Sequence, residues 1–220
     1  MHFLLKTDPT LFISNFWLWI KAIDQWLFLY VNRFWTNGFL DAIFPIWRES
    51  LTWIPVYLFL LIFCAINFNW KSLLWIGLFI ITVSLCDQVS SAFLKDFVGR
   101  IRPCSDPYFS QYVRLLINRC PGSGSFTSSH ATNHFGMAVY ICVTFKQFIG
   151  KWKYLVYFWA ASVAYGQVYV GVHYPFDVIG GALLGSLIGW MAASFHNRRV
   201  GLLTLEETTN NSTLQTETRI

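Results

Sequence analysis

Long uncharged apolar stretches, separated by short polar breaks, make up most of this chain. Residues 51–70, 131–145, 154–171 and 178–197 contain no Asp, Glu, Lys or Arg, and 72–94 contains only Asp87. The 131–145 stretch extends back to Thr127 through polar but uncharged residues. A membrane crossing takes about 20 apolar residues, and a helix is the form that satisfies its own backbone polar groups in lipid. The pattern therefore predicts an all-α, polytopic membrane bundle of five spans. Residues 10–34 are rich in Trp, Phe and Leu but carry Lys21, Asp24 and Arg33. Two charges near the middle favour an amphipathic helix on the membrane surface; if it crosses, the spans number six.

The same pattern divides the chain into an N-terminal interfacial segment (1–36), a membrane domain (37–199) and a tail (200–220). The tail is rich in Thr, Asn and Glu and lacks aromatics, so disorder is expected there. By alternation, Lys71, Lys146, Lys151, Lys153, Arg198 and Arg199 share one side, which the positive-inside tendency makes cytoplasmic. On that side the Asn-x-Ser/Thr patterns at Asn210 and Asn211 have no consequence. No cleavable signal peptide is evident, so the first helices would direct insertion. The outer face holds 95–126 and the turn 171–177. It is also basic, so charge alone leaves the orientation open.

Composition agrees with a lipid solvent. Hydrophobic residues make up 55% of the chain and charged residues 12%, against about 25% charged in soluble domains. The net charge of +5 is not gathered into a basic run with interleaved aromatics, which argues against nucleic acid and for anionic lipid headgroups. Cys64, Cys86 and Cys142 fall in apolar stretches as core residues. Cys104 and Cys120 share one polar loop. In an oxidising compartment they would pair, worth roughly 3 kcal/mol; otherwise they stay thiols.

Three polar clusters interrupt the apolar pattern, each at the outer end of a span: KDFVGRIRP at 95–103, GSGSFTSSH at 122–130 and YVGVHYPFD at 169–177. Lys95 and Arg102 supply positive charge, and a guanidinium fork matches phosphate oxygens. Ser128 and Ser129 stand at a helix start, where free N–H groups and the dipole favour an anion. His173 and His130 offer a nucleophile and an acid–base group. Asp177 can hold one nitrogen of His173 and leave the other free. Pro175 places His173 in a turn and opens the last helix, with Asp177 in its first turn. Taken singly, these features are also compatible with interfacial anchors, a helix cap and a structural His–Asp pair. Their joint occurrence favours an oxyanion site. Gly181, Gly185 and Gly189 read as a close helix-packing series. Asp87 reads as an interior acid supporting the site from behind, His134 as a neighbour of the site and His196 as an interfacial residue.

In order and spacing these clusters resemble the type-2 phosphatidic acid phosphatase and vanadium haloperoxidase superfamily. Its signature is Lys-x6-Arg-Pro, then Pro-Ser-Gly-His, then Ser-Arg-x5-His-x3-Asp. The first block matches at Lys95, Arg102 and Pro103. The second keeps Ser128 and His130, with Thr127 and Ser129 in place of Pro and Gly. The third keeps His173 and Asp177, with Gly166 and Gln167 in place of Ser and Arg. The haloperoxidase relatives are soluble, which leaves the membrane lipid-phosphatase branch. The resemblance implies that His173 attacks phosphorus to form a phosphohistidine and that His130 protonates the leaving oxygen and then activates water. Asp177 would orient His173, while Lys95, Arg102, Ser128 and Ser129 bind the phosphate, with no metal and no cofactor. Gln167 would fill the place of a phosphate-binding Arg without its charge, so Arg100 or another basic residue must compensate, or the site prefers another anion geometry.

The implied reaction is hydrolysis of a lipid phosphate monoester or pyrophosphate at the outer face of a bacterial inner membrane, facing the periplasm. Polyprenyl diphosphate, lipid A phosphate, phosphatidylglycerol phosphate and phosphatidic acid are the candidate substrates. A catalytically weak lipid-phosphate-binding protein is the alternative, motivated by Gln167. A channel would place polar residues through the bilayer centre, where this chain has only Asp87.

Overall fold

The computed structural model of the chain describes residues 9–201, and every regular element among them is helical. The tail expected to be disordered lies almost wholly outside the described residues. α1 (Pro9–Leu29) runs on through a π-helical turn, Tyr30–Phe34, and is followed by α2 (Gly38–Trp47) and α3 (Ile54–Asn67). α4 (Asn69–Gln88) continues through a π-helical stretch, Val89–Leu94, into the short α5 (Lys95–Val98). After a loop come α6 (Ser129–Thr144), the short α7 (Lys146–Ile149), α8 (Lys153–Tyr169) and α9 (Pro175–Val200).

Three helical stretches are long and apolar enough to cross a membrane: Ser50–Asn67, Trp70–Val98 and Pro175–Val200. The first shows what lipid does to a surface. Leu58, Phe59, Ile62 and Ile66 are all exposed, which would be costly in water and is favourable in hydrocarbon. α6 is different. It sits at the centre, packed against α9, α8 and α4, and most of its length is buried. A helix enclosed by other helices needs no lipid-compatible face. It can therefore carry Ser129, His130, Thr132, Asn133 and His134, and it falls short of the length and hydropathy of a free-standing span.

α6 and α9 run side by side in the same direction, held close by glycine. A Cβ on Gly181 would press on the Ser128 carbonyl, one on Gly185 would overlap the Thr132 carbonyl, and one on Gly189 would overlap the Gly136 carbonyl. The small-residue series expected from the sequence is thus a backbone-to-backbone contact, where dispersion and short polar contacts replace a hydrophobic drive that lipid cannot supply. On the other flank, Trp75 is fully buried, donates to Thr144 Oγ1 at 2.9 Å and accepts at its carbonyl from Tyr140 Oη at 3.1 Å. Cys64, Cys86 and Cys142 are buried free thiols, and Cys104 and Cys120 form a disulfide across the loop between α5 and α6. His196, expected at the interface, is instead fully buried, with its ring near Tyr140. Its position near the end of α9 suggested an exposed ring, but α9 turns that face onto α6.

α1 also departs from a plain surface helix. Asp24, whose charge argued against a crossing, is fully buried and faces the protein. Phe28 on the same helix is buried against Phe109 and Tyr174.

Overpacking at such a helix contact typically costs about 1–3 kcal/mol. Gly185→Ala should lower the thermal unfolding midpoint in detergent by several degrees. Gly77→Ala, whose Cβ would meet nothing within 4 Å, should leave it unchanged. Fluorescence-detected unfolding of the two variants beside the parent checks this.

Candidate active site

The three polar clusters come together where α6 and α9 begin. Gly99, in the left-handed conformation (φ 59°), ends α5 and turns the chain so that Arg100 and Arg102 fold back beside Lys95. Gly124 lies against the Lys95 backbone, where a Cβ would come within 2.9 Å of the Lys95 carbonyl. Ser128 is the N-cap of α6, and its backbone N–H donates to the Asp177 carbonyl at 3.1 Å. That bond helps tie the second cluster to the third.

His173 is buried in the turn before α9. Arg102 Nη1 lies 3.0 Å from its Nε2. A guanidinium can only donate, so Nε2 is the acceptor and the ring proton sits on Nδ1. Nδ1 faces Asp177 Oδ2 at 3.7 Å and Ser125 Oγ at 3.5 Å. The carboxylate contact is long for a hydrogen bond but within ion-pair range. Burial pushes the His173 imidazole down to about 4, with Asp177 pulling the other way, so the ring is neutral at physiological pH. Burial likewise lowers Arg102 to about 10, which leaves it charged. Arg102 is held by Ser123: Nε donates to its carbonyl at 2.8 Å and Nη2 to its Oγ at 3.1 Å.

Asp177, at N3 of α9, is fully saturated. Oδ1 takes Arg100 Nη1 at 2.7 Å, and Oδ2 takes Ser125 Oγ at 2.5 Å and the Tyr174 N–H at 2.9 Å. Arg100 also reaches Asp24 Oδ2 at 2.5 Å and stacks over the Tyr174 ring, 4.5 Å from its centroid. Asp24 Oδ1 in turn accepts the Phe176 N–H at 2.9 Å. Arg100 is therefore bound between two carboxylates, and it is not a guanidinium available in place of an Arg at 167.

Ser128 and Ser129 behave differently from each other. The Ser128 side chain makes no cap bond to the α6 backbone, and its buried Oγ has no hydrogen-bond partner among the described residues. An ordinary helix cap would have used it. Ser129 Oγ pairs with Ser91 Oγ at 2.8 Å, and Ser91 Oγ with Asp87 Oδ1 at 3.3 Å. Asn133 Nδ2 also reaches Asp87 Oδ1 at 3.2 Å. Asp87 thus anchors the start of α6 from behind, through a helix whose π-helical stretch lies beside it. Such bulges recur at functional sites. His130 is partly exposed, and the charges of Arg48 and Lys95 act on its ring. His134 sits one turn on, with Nδ1 against the His130 carbonyl at 2.8 Å and Nε2 3.3 Å from Tyr57 Oη.

Gln167 is fully buried. Its Nε2 donates to the Arg48 carbonyl at 3.4 Å, and its Oε1 has no partner among the described residues. Ser125, Asp24 and Arg48 are the residues of this region that sequence reasoning left out of the site; Arg100 was considered there only as a substitute for the missing Arg. Ser125 lies inside the second cluster and could have been singled out as a buried hydroxyl beside glycines. Asp24 and Arg48 stand far away in sequence, with no local signal.

Two openings meet here. A cavity of about 430 Å³ is lined by Lys95, Arg100, Ile101, Arg102 and the glycine-rich strip Gly122–Gly124. A mainly apolar groove of about 600 Å³ shares Arg100 and Ile101 with it and is walled by Trp17, Ile20, Phe126 and Phe176. A cationic pocket opening onto an apolar groove can hold a phosphate with a hydrocarbon chain attached.

The profile of the PAP2 superfamily matches residues 72–200. The chain is 31% identical over 176 residues to the lipid A 4′-phosphatase of Bacteroides thetaiotaomicron, covering 78% of this chain and 76% of that protein. Among solved structures it is similar to the PAP2-type phosphatidylglycerolphosphate phosphatase of Bacillus subtilis. That match has a TM-score of 0.60 and 25% identity over 82% of this chain and 87% of the other. Aquifex aeolicus LpxE matches with a TM-score of 0.55 and 26% identity, over 76% and 93% respectively.

Removing one partner of a wholly buried ion pair costs about 3–5 kcal/mol. Arg100 is a quarter exposed, so Asp24→Asn should cost less, about 1–3 kcal/mol. The variant should unfold at lower temperature and expose α1 to limited proteolysis. Adding Arg100→Gln should cost less than the sum of the two single changes.

Proposed function

From the premise that this chain belongs to the PAP2 superfamily, we propose that it cleaves phosphate from a membrane lipid through a phosphohistidine on His173. It is an integral membrane hydrolase of phosphate esters or diphosphates. The observation that carries the reading is the arrangement around His173. Its ring is buried and neutral, its Nε2 lone pair points at Arg102, and its Nδ1–H faces Asp177 and Ser125.

In this reading the phosphate enters between Lys95, Arg102, Ser128 Oγ and the N-terminus of α6. Arg102 Nη1 turns from His173 Nε2 to a phosphate oxygen, which frees the lone pair. Nε2 then attacks phosphorus, the P–O bond to the lipid breaks, and His130 gives a proton to the leaving oxygen. The imidazolium charge that builds on His173 is offset by Asp177, which Arg100, Ser125 and the Tyr174 N–H hold in place. Water then attacks the phosphohistidine and loses its proton to His130. Inorganic phosphate leaves, and His173 and His130 return to their starting states. The hydrocarbon chains of the substrate lie in the groove between Trp17 and Phe126.

Five spans fit this chain if α6, which other helices enclose, and α8, whose first half is exposed and apolar, cross beside the three apolar stretches. α1 lies at the interface over the mouth of the site. The 37–199 domain carries the chemistry. The Cys104–Cys120 disulfide sits in the loop beside the pocket and supports an oxidising, periplasmic face. Among the four lipid candidates, a lipid A phosphate ranks first, because the chain is 31% identical to a lipid A 4′-phosphatase across 78% of its own length and 76% of that protein's.

Purified protein in detergent, offered the four lipids with chelator present, should release phosphate, fastest from lipid A. His173→Ala should abolish release, and no release from any lipid by folded protein would sink the reading. The pH profile tests the state of His173. Attack needs the neutral ring, so its contribution to kcat/KM is present above its pKa and lost as pH falls through it. With the substrate's own ionisation divided out, the acidic bend of kcat/KM should lie near pH 4, well below the roughly 6.5 of an unperturbed histidine.

A further inference from the structure

Arg48 is a buried guanidinium with too few partners. It caps the C-terminal end of α2 and is 5% exposed. Its Nη2 pairs with Glu49 Oε1 at 2.8 Å. Its Nε and Nη1 are buried and have no hydrogen-bond partner among the described residues. A guanidinium has five N–H donors and no acceptor, and burying charged donors unpaired is costly. A bound anion would supply the acceptors that the protein does not.

Arg48 lies beside the site: Gln167, whose side chain donates to the Arg48 carbonyl, accepts the Val172 and His173 N–H groups at its own carbonyl, and the Arg48 charge acts on Arg102 and His130. Two guanidiniums and Lys95 thus share one region, and the carboxylate there, Asp177, is already taken by Arg100, Ser125 and the Tyr174 N–H. Like charges so placed repel one another without a ligand and are relieved by a dianion.

The chain around Arg48 is built to hold it. Trp47 Nε1 donates to Ser162 Oγ at 2.8 Å, and Trp53 Nε1 to the Trp47 carbonyl at 2.9 Å. The Trp47 and Trp53 rings meet edge to face at 4.5 Å. A Cβ on Gly166 would stand 3.0 Å from Phe44 Cδ1 and 3.2 Å from Arg48 Cβ, so the glycine lets the end of α2 approach α8. The next residue, Gln167, donates to the Arg48 carbonyl. The two positions at which the third block departs from the related motif, Gly166 and Gln167, are therefore the two that receive Arg48.

We propose that Arg48 is a phosphate-binding residue of this site, supplying from α2 the guanidinium that the related motif carries at the position of Gln167. The proposal rests on the oxyanion-site reading above. Gln167 is then a positioning residue for Arg48, with no direct part in holding the anion.

The test uses vanadate, a phosphate mimic, as the probe. Its effects on thermal unfolding and on phosphate release are measured for the parent, Arg48→Ala, Arg48→Lys and the pair Arg48→Ala with Gln167→Arg. Vanadate should raise the parent's unfolding midpoint, and Arg48→Ala should lose most of that rise. Its kcat/KM should fall by about 10²-fold, the scale of losing one donor to the developing charge. Arg48→Lys should recover part of both, and Gln167→Arg should rescue Arg48→Ala by returning a guanidinium to the motif position. If Arg48→Ala fails to fold, the comparison of Arg48→Lys with the parent carries the same test. A purely structural Arg48 would lower the midpoint but leave the vanadate-induced rise and kcat/KM within about twofold, and that result overturns the proposal. So does a parent that vanadate does not stabilise. A parent that is stabilised through Arg48 yet releases no phosphate supports the proposal and removes the hydrolytic reading.

Discussion

The close parallel contact of α6 and α9 is the constraint on which the site depends. Gly181, Gly185 and Gly189 let α9 lie against the α6 carbonyls, and the two helices start at the same level. Ser128, the N-cap of α6, therefore meets Asp177 in the first turn of α9. Two helix N-termini converge on one small volume, each with the positive end of its dipole; at α9 the Tyr174 and Phe176 N–H groups are taken by Asp177 and Asp24, so the free N–H groups are those of α6. An anion-attracting end is thus set by backbone packing before any side chain is counted. Any residue larger than glycine at these positions would force the helices apart and separate His130 and Ser128 from His173.

Charge is arranged in two tiers around that point. The inner tier is cationic: Lys95 and Arg102 are buried with no ion pair among the described residues, and buried Arg48 has one carboxylate, the half-exposed Glu49, on Nη2 alone. The outer tier is neutralised. Arg100 is clamped by Asp24 and Asp177, and Asp177 is further held by Ser125 and the Tyr174 N–H. The difference matters chemically. Paired charges have one lowest-energy arrangement and position their neighbours, whereas unpaired cations raise the energy of the empty site and favour a phosphate. Asp24 couples this system to α1, so the N-terminal helix is part of the support of His173 through Arg100 and Asp177.

Lipid explains why the fold tolerates so polar a centre. α3 and the outer faces of α4 and α9 present Leu, Ile and Phe outward. The polar residues of α6 are enclosed, where Asp87, Ser91, Ser129 and Asn133 satisfy one another. The loop between α5 and α6, closed by its disulfide, brings Arg102 and the glycine strip over the helix ends. The polar groups meet at one end of the bundle, next to an apolar groove that lipid chains can enter sideways.

Much of this was legible in the sequence, for physical reasons. Apolar stretches of membrane length determine an all-helical bundle. Pro175 determines where α9 begins, and the glycine series determines which helices touch closely. Lys95, Arg102, Ser128, His130, His173 and Asp177 declared themselves because each lies in a polar cluster bounded by apolar helices, where charge is costly without a use. Tertiary structure alone decided what comes from elsewhere. Asp24 read as a surface charge and is a buried partner of Arg100. His196 read as interfacial and is core. Gln167 read as a substitute ligand and instead reaches the Arg48 carbonyl. Arg48, more than a hundred residues from the motif it joins, carried no local mark. A periodicity or a motif reports what neighbouring residues share, but the pairing of a charge is settled by whichever distant side chain the packing brings within about 3 Å.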